Sequence, residues 1–227
     1  IRIFIVIMKT PYGNQLVNQI VSHKKLKKLT SLNRRNIFNL TEDDYINLVN
    51  ICIGLYSPLT GFCDEKTYNS IIKKNKISNN LDWSIPILFN YPLKKNFLIK
   101  NEFFKLKYNK KIVGAINVEN TFKINKKLFN LKVFGTNSTK HPGVIALKKK
   151  NNFFIGGKVY LLKNAIPRKK YFFTPFKLRQ ILKKKKIYSN TAFSTRNICH
   201  LGHFFIHRHI LKKTLKLFIT IIQCPVN

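Results

Sequence analysis

The sequence predicts a β-rich α+β domain followed by the first part of an α/β domain. Three observations predict it. Between Trp83 and Tyr160, short β-branched or aromatic runs recur, separated by Asn, Lys, Pro and Gly, the pattern of strands in a small barrel or folded sheet. After Pro167 the pattern changes to helix, strand, polar turn, helix and strand, one βαβ unit of a parallel sheet. Apolar residues make up 44% of the 227 positions, enough for a packed core rather than a disordered chain.

In chain order, Pro11-Tyr12-Gly13-Asn14 is a turn signal, and Leu16, Val17 and Ile20 follow at helix-like spacing. Ile37 to Leu40 reads as a strand. Thr41 is a helix N-cap with Glu42, Asp43 and Asp44 in the first turn, and the helix runs through Cys52 to end near Gly54. Tyr56 to Phe62 is a rigid loop holding a proline and a glycine, and Glu65 to Lys73 is a second short helix. The strand candidates are Ile85 to Phe89, Phe103 to Leu106, Ile112 to Val118, Leu131 to Phe134, Phe153 to Ile155 and Lys158 to Leu162. Phe134 to Val144 is a long polar loop ending in a turn. Thr174-Pro175 caps a helix whose buried face is Leu178, Ile181 and Leu182, with proline at the position that needs no N–H. Ser189 to Phe193 is a strand, His200 to about Phe218 a helix, and Ile219 to Gln223 the next strand.

The chain carries 43 Lys and Arg against 8 Asp and Glu, a formal charge of +35. Such a charge attracts polyanions without specificity. Lys, Asn and Ile are over-used together, and all three have AT-rich codons, so compositional drift accounts for the charge better than a selected nucleic-acid surface. The four cysteines show no CxxC pair, which predicts reduced thiols and a cytoplasmic setting. The apolar run Ile1 to Met8 is too short to span a bilayer. Met8 is the only methionine, which predicts that translation starts there.

Chemistry concentrates in Thr191 to His203. The strand runs into a turn carrying Arg196 and Asn197, and a helix opens with His200 and His203. Free N–H groups and the positive dipole end at a helix start suit an anion, phosphate above all. Histidines at i and i+3 share a helical face and can add donors to the same oxygens.

The chain resembles the N-terminal portion of ATP sulfurylase (sulfate adenylyltransferase). The matching segments are Pro11-Tyr12-Gly13-Asn14, Tyr56-Ser57-Pro58-Leu59-Thr60-Gly61-Phe62, Trp83 with Ile85-Pro86-Ile87, and Gly135-Thr136 with His141-Pro142-Gly143-Val144. Gly156-Gly157, Pro167-Arg168, Thr174-Pro175 with Arg179, and Thr195-Arg196-Asn197 to His200-x-x-His203 complete the set. The resemblance implies a PUA-like domain over residues 8–166. It implies the start of a Rossmann-like HxGH nucleotidyltransferase domain over residues 167–227, too few for a doubly wound domain of roughly 100–150 residues or more. The implied reaction joins ATP and sulfate into adenylyl sulfate and diphosphate, with Mg²⁺ on the nucleotide and a homo-oligomeric, non-membrane protein.

The resemblance also implies roles. Arg196 binds sulfate through its planar fork of donors. Ser194, Thr195 and Asn197 meet the nucleotide, and His200 and His203 meet the α- and β-phosphates. Gly202 lets the backbone approach them. Ser194 stands where the family usually has a sulfate-contacting glutamine and is shorter, with one hydroxyl. Ile198 replaces the family's proline, and Phe204 its acidic residue. The family's later nucleotide loop and second sulfate-binding arginine are absent, so the expectation is little or no adenylyl transfer by these residues alone. A three-histidine zinc site from His200, His203 and His207 is the rival, but His207 falls at a family position that is not a ligand, and no metal ligand is assigned. The alternative function is a non-catalytic basic module that binds nucleic acid or protein.

Overall fold

The computed structural model describes residues 10–31, 37–77, 80–90, 101–167, 172–187, 190–195, 199–213 and 216–221. It divides into two compact units, Pro11–Thr174 and Pro175–Asn227 with Ile1–Thr10.

The first unit is built on a seven-stranded mixed sheet. Its strands are β1 (Ile20–Val21), β2 (Ile37–Asn39), β3 (Gly61–Phe62), β4 (Phe89–Asn90), β5 (Glu102–Tyr108), β6 (Lys111–Lys123) and β7 (Phe153–Leu162). The main path is β1-β7-β6-β5-β2, and β3 and β4 also pair with β7. The central β5, β6 and β7 are antiparallel, while β1 and β2 join at the sides in parallel. Helices α1 (His23–Leu29), α2 (Glu42–Cys52), α3 (Glu65–Lys74), α4 (Lys126–Phe129) and α5 (Pro142–Lys149) surround it.

Alternation along the central strands sends Phe104, Leu106, Ile116, Val118, Ile155, Val159 and Leu161 into one core, with Leu48, Val49, Ile51 and Cys52 of α2. Phe38 stacks on Phe104 with ring centroids 4.3 Å apart, and Phe62 on Phe89 at 5.0 Å. Each fully buried side chain of this kind contributes about 1.5–3 kcal/mol of transfer free energy. The paired runs at Phe153 and Lys158 form one strand rather than two. Gly157 keeps it continuous, because a Cβ there would lie 2.1 Å from the Asn117 carbonyl oxygen of β6.

Several local expectations are corrected. Leu16, Val17 and Ile20 do not form a helix. After a 3₁₀ turn at Tyr12–Asn14 the chain is extended, since Ser57 Oγ accepts from Val17 N and Ile20 pairs with Leu161. Of Ile85 to Phe89 only Phe89 lies in a strand. Leu131 to Phe134 is a π-helical turn closed by Gly135 in the left-handed region, not a strand. The polar loop after it ends in α5, whose N-cap is His141 with Pro142 at the first position. The Tyr56 to Phe62 loop is structural: Ser57 Oγ also donates to Gly54 O at 2.7 Å, and Thr60 O accepts from Gln19 Nε2 at 2.8 Å.

The second unit contains α6 (Pro175–Lys184), β8 (Asn190–Thr195), α7 (Leu201–Lys213) and β9 (Lys216–Ile221). In α6, Leu182 is buried and Ile181 half-buried, but Leu178 is 40% exposed and does not belong to the buried face. α7 stops at Lys213 instead of continuing to Phe218. After Leu217 the run Phe218-Ile219-Thr220-Ile221 is β-branched or aromatic, and parallel pairing of Leu217 to Ile221 with Thr191 to Thr195 takes it out of the helix.

Candidate functional site

β8 runs in parallel with β9, Ser194 opposite Thr220 and Thr195 opposite Ile221. α7 lies between them in sequence, so its first turn follows the carboxyl end of β8. That is the end at which open α/β sheets bind ligands. Thr195 is buried there. Arg196, Asn197 and Ile198 lie outside the described residues.

His200 is the residue immediately before α7, and its ring folds back over the helix start. Gly202 N donates to His200 Nδ1 at 3.1 Å. In return, His200 N donates to His203 Nδ1 at 3.3 Å. This is a reciprocal cap, with imidazole nitrogens where a capping box uses hydroxyl and carboxylate oxygens. It satisfies two donors that a helix start otherwise leaves open. The two rings lie 4.1 Å apart, tilted by 59°. A neutral imidazole that accepts at one nitrogen carries its proton on the other, so in that form each ring would present Nε2–H.

Phe193 of β8 supports this face. Its ring meets His203 edge-on at 5.6 Å and His207 at 4.7 Å. His203 is 9% exposed. Burial first, then the neighbouring His200 and His207, hold it below the ordinary histidine value. His207 Nε2 is buried with no hydrogen-bond partner among the described residues. Nor, among those residues, does any group of three His, Cys, Asp or Glu side chains form a metal cluster.

Gly202 has a steric role that spacing does not reveal. A Cβ there would lie 3.0 Å from His200 Cε1 and 3.2 Å from its Nδ1, so the glycine makes room for the ring that caps its own amide. Sequence reasoning singled out Ser194, Thr195, Arg196, Asn197, His200, Gly202 and His203, and of these the structure brings His200, Gly202 and His203 into one cap. It missed Phe193, which reads only as a strand apolar residue, and the cap itself. The one available signal was His-x-x-His falling on the N-cap and N3 positions of the capping-box pattern.

The arrangement offers two imidazole N–H donors and the amides of the first turn, a set suited to an anion with several oxygens. No Asp or Glu follows Glu119 in the chain. Residues 190–221 therefore offer no carboxylate of their own to a divalent cation. In the other unit, a polar pocket of about 150 Å³ includes Asp64 and Glu119 in its lining. Asp64 is committed to capping α3 through Thr67 N at 2.8 Å.

The family model described as PUA-like domain matches residues 9–164. The chain belongs to the PUA-like domain family. Its curated relatives reach beyond that domain into the His200–His203 turn. A sulfate adenylyltransferase of Hyperthermus butylicus is 32% identical over 212 residues, covering 92% of this chain and 54% of that protein. Those of Pyrococcus abyssi and Ignicoccus hospitalis are 29% and 31% identical, each over 92% of this chain and 55% and 56% of their own length. The chain thus spans about half the length of the curated relatives it matches. Among solved structures, the hexameric APS kinase from Thiobacillus denitrificans superposes with a TM-score of 0.67 at 15% identity. It covers 97% of this chain and 48% of that one, a likeness of fold.

Proposed function

We propose that the chain serves sulfate adenylylation, ATP plus sulfate giving adenylyl sulfate plus diphosphate. Residues 8–166 act as its PUA-like domain, and residues 167–227 as the N-terminal part of a Rossmann-like HxGH nucleotidyltransferase domain. The observation that carries this is the start of α7, where His200 and His203 share one cap behind a parallel strand. The names of the relatives supply the substrate pair.

In the step, a sulfate oxygen attacks the α-phosphorus. The bond from that phosphorus to the oxygen bridging to the β-phosphate breaks, and this oxygen leaves with its electron pair on diphosphate. Sulfate is already an anion, so no proton has to be removed and no general base is needed. What the site must do is align two anions and stabilise charge on the phosphoryl oxygens. His200 and His203 donate Nε2–H to the phosphates. Arg196 takes sulfate, with Ser194 beside it. Thr195, Asn197 and the backbone at Gly202 hold the nucleotide. Mg²⁺ arrives with the nucleotide, and the working form is a homo-oligomer.

Calorimetric titration with ATP tests the site, and a diphosphate-release assay with ATP and sulfate tests the reaction, with little or no turnover expected from these residues alone. The double substitution His200→Ala, His203→Ala is expected to weaken ATP binding at least about tenfold, the loss of two charge-facing hydrogen bonds. Undiminished binding by that variant overturns the proposal.

The second reading, a basic module for polyanions, is favoured by one observation, the formal charge of +35.

A further inference from the structure

Phosphate sites built on histidine are commonly thought of as imidazolium sites that tighten in acid. The cap at the start of α7 argues for the opposite. We propose that His200 and His203 bind their anion as neutral Nε2–H donors, and that acid closes the site by breaking the cap they share. This rests on the nucleotide reading of the turn given above.

The geometry leaves little choice of proton position. His200 Nδ1 faces the Gly202 amide at 3.1 Å, and His203 Nδ1 faces the His200 amide at 3.3 Å. Both amides are donors, so both nitrogens must be bare. A second proton on either ring would set N–H against N–H. The cost falls on the first turn of α7, whose amides would lose their acceptors while the anion needs them held in place.

No residue of β8, α7 or β9 supplies a negative charge to an imidazolium. β8 carries no titratable residue, and β9 carries only Lys216. The rest of α7 adds His207, Arg208, His209, Lys212 and Lys213, all neutral or positive. Phe193 offers its ring to His203 and His207, at 5.6 and 4.7 Å. No carboxylate occurs in this stretch to stabilise the charged form. The depressed basicity of His203 agrees with that setting.

The sign of linkage is definite. A histidine whose folded value lies below its unfolded value of about 6.5 binds fewer protons when folded, so its contribution is complete above that pH. It is lost as pH falls from there through the lowered value.

Two measurements on the whole chain decide the matter. Long-range proton–nitrogen NMR of ¹⁵N-histidine protein reads each ring's tautomer, with assignments from His200→Gln and His203→Gln. The expected result at pH 7.5 is Nε2–H on both rings. An Nδ1–H tautomer, or a charged ring, overturns the proposal.

ATP titration at pH 7.5 and 5.5 reads its consequence. Wild-type affinity is expected to fall further across this range than that of His203→Gln, by a factor below about ten because the lowered His203 value leaves its ring only partly protonated at pH 5.5. Glutamine at this position keeps the cap acceptor and does not titrate. His203→Lys carries charge but cannot accept, so it is expected to bind ATP more weakly than wild type at pH 7.5. Tighter binding by wild type in acid, or by the lysine variant, overturns the proposal. Nε2–H tautomers with no ATP binding at any pH would refute the nucleotide reading and with it the acid closure, while the cap itself would stand.

Discussion

At the scale of single residues, capping and ligand binding by the same imidazole can be pulled apart. Serine is a strong N-cap through its hydroxyl, so His200→Ser keeps the acceptor for Gly202 N and removes the ring. It is expected to leave α7 amide protection unchanged by hydrogen exchange while lowering ATP affinity several-fold. Equal loss of both would mean that the ring matters only as a cap. Gly202→Ala makes a complementary separation. Alanine favours the helix by about 1 kcal/mol but pushes the His200 ring off its 3.1 Å contact. The expected outcome is a helix no less stable, with weaker ATP binding, read by the same two methods. Thiol chemistry is equally local. Burial pushes the Cys63 thiol up to about 12 and raises Cys52 further, whereas Cys199 is exposed. Iodoacetamide on the native chain should therefore label Cys199 and spare Cys52 and Cys63, as peptide mass spectrometry would show. Native labelling of Cys52 would mean that α2 opens readily.

At the scale of elements, what the sequence disclosed depends on how local the deciding interaction is. The start of α2 was legible because its signal is complete within four residues. Thr41 Oγ1 accepts from Asp44 N at 3.2 Å, and Asp44 Oδ2 accepts from Thr41 N at 3.1 Å. Thr41→Ala is expected to cost about 1 kcal/mol, measured as a lower urea midpoint with unchanged slope. A shift below about 0.3 kcal/mol would show that the negative first turn suffices alone. α1 was hidden because His23-Lys-Lys-Leu-Lys-Lys-Leu reads as a solvated charge run, although Ser22 caps it by accepting from Lys25 N at 3.3 Å and Leu26 is buried in a cluster with Ala115 and Leu162. α5 was hidden because its cap is a histidine, His141 Nδ1 accepting from Gly143 N at 3.2 Å with its ring stacked on Phe134. The same blind spot covers α7. His200 and His203 were found by spacing, but their mutual hydrogen bonds depend on rings folding backward, and no periodicity encodes that. Extended backbone after Asn14 was missed for a different reason: its partners, Ser57 and Leu161, lie far away in the chain.

At the scale of the whole molecule, a charge of +35 sets a background against which any specific anion site must be judged. Long-range attraction of anions to exposed lysines is diffuse and screened over about 10 Å at 0.1 M salt. Binding of a polyanion by such a surface releases counterions, so its affinity falls steeply and log-linearly with salt. ATP held by hydrogen bonds from two fixed imidazoles and a helix start should behave differently, because few exposed charges are neutralised and the donors are directional. The two readings of this chain therefore predict different slopes. Titrating the chain with ATP and, separately, with a labelled single-stranded RNA between 50 and 200 mM salt compares them directly. If the α7 site is the specific one, RNA affinity drops by about 10³-fold or more across that range, as expected for at least about seven neutralised phosphates on a single strand, whereas ATP affinity drops by less than about tenfold. The RNA signal should also be indifferent to His200→Ser and Gly202→Ala. Parallel slopes for both ligands, or an RNA affinity that resists salt, would mean that the basic surface and not the histidine cap is what this molecule presents to anions.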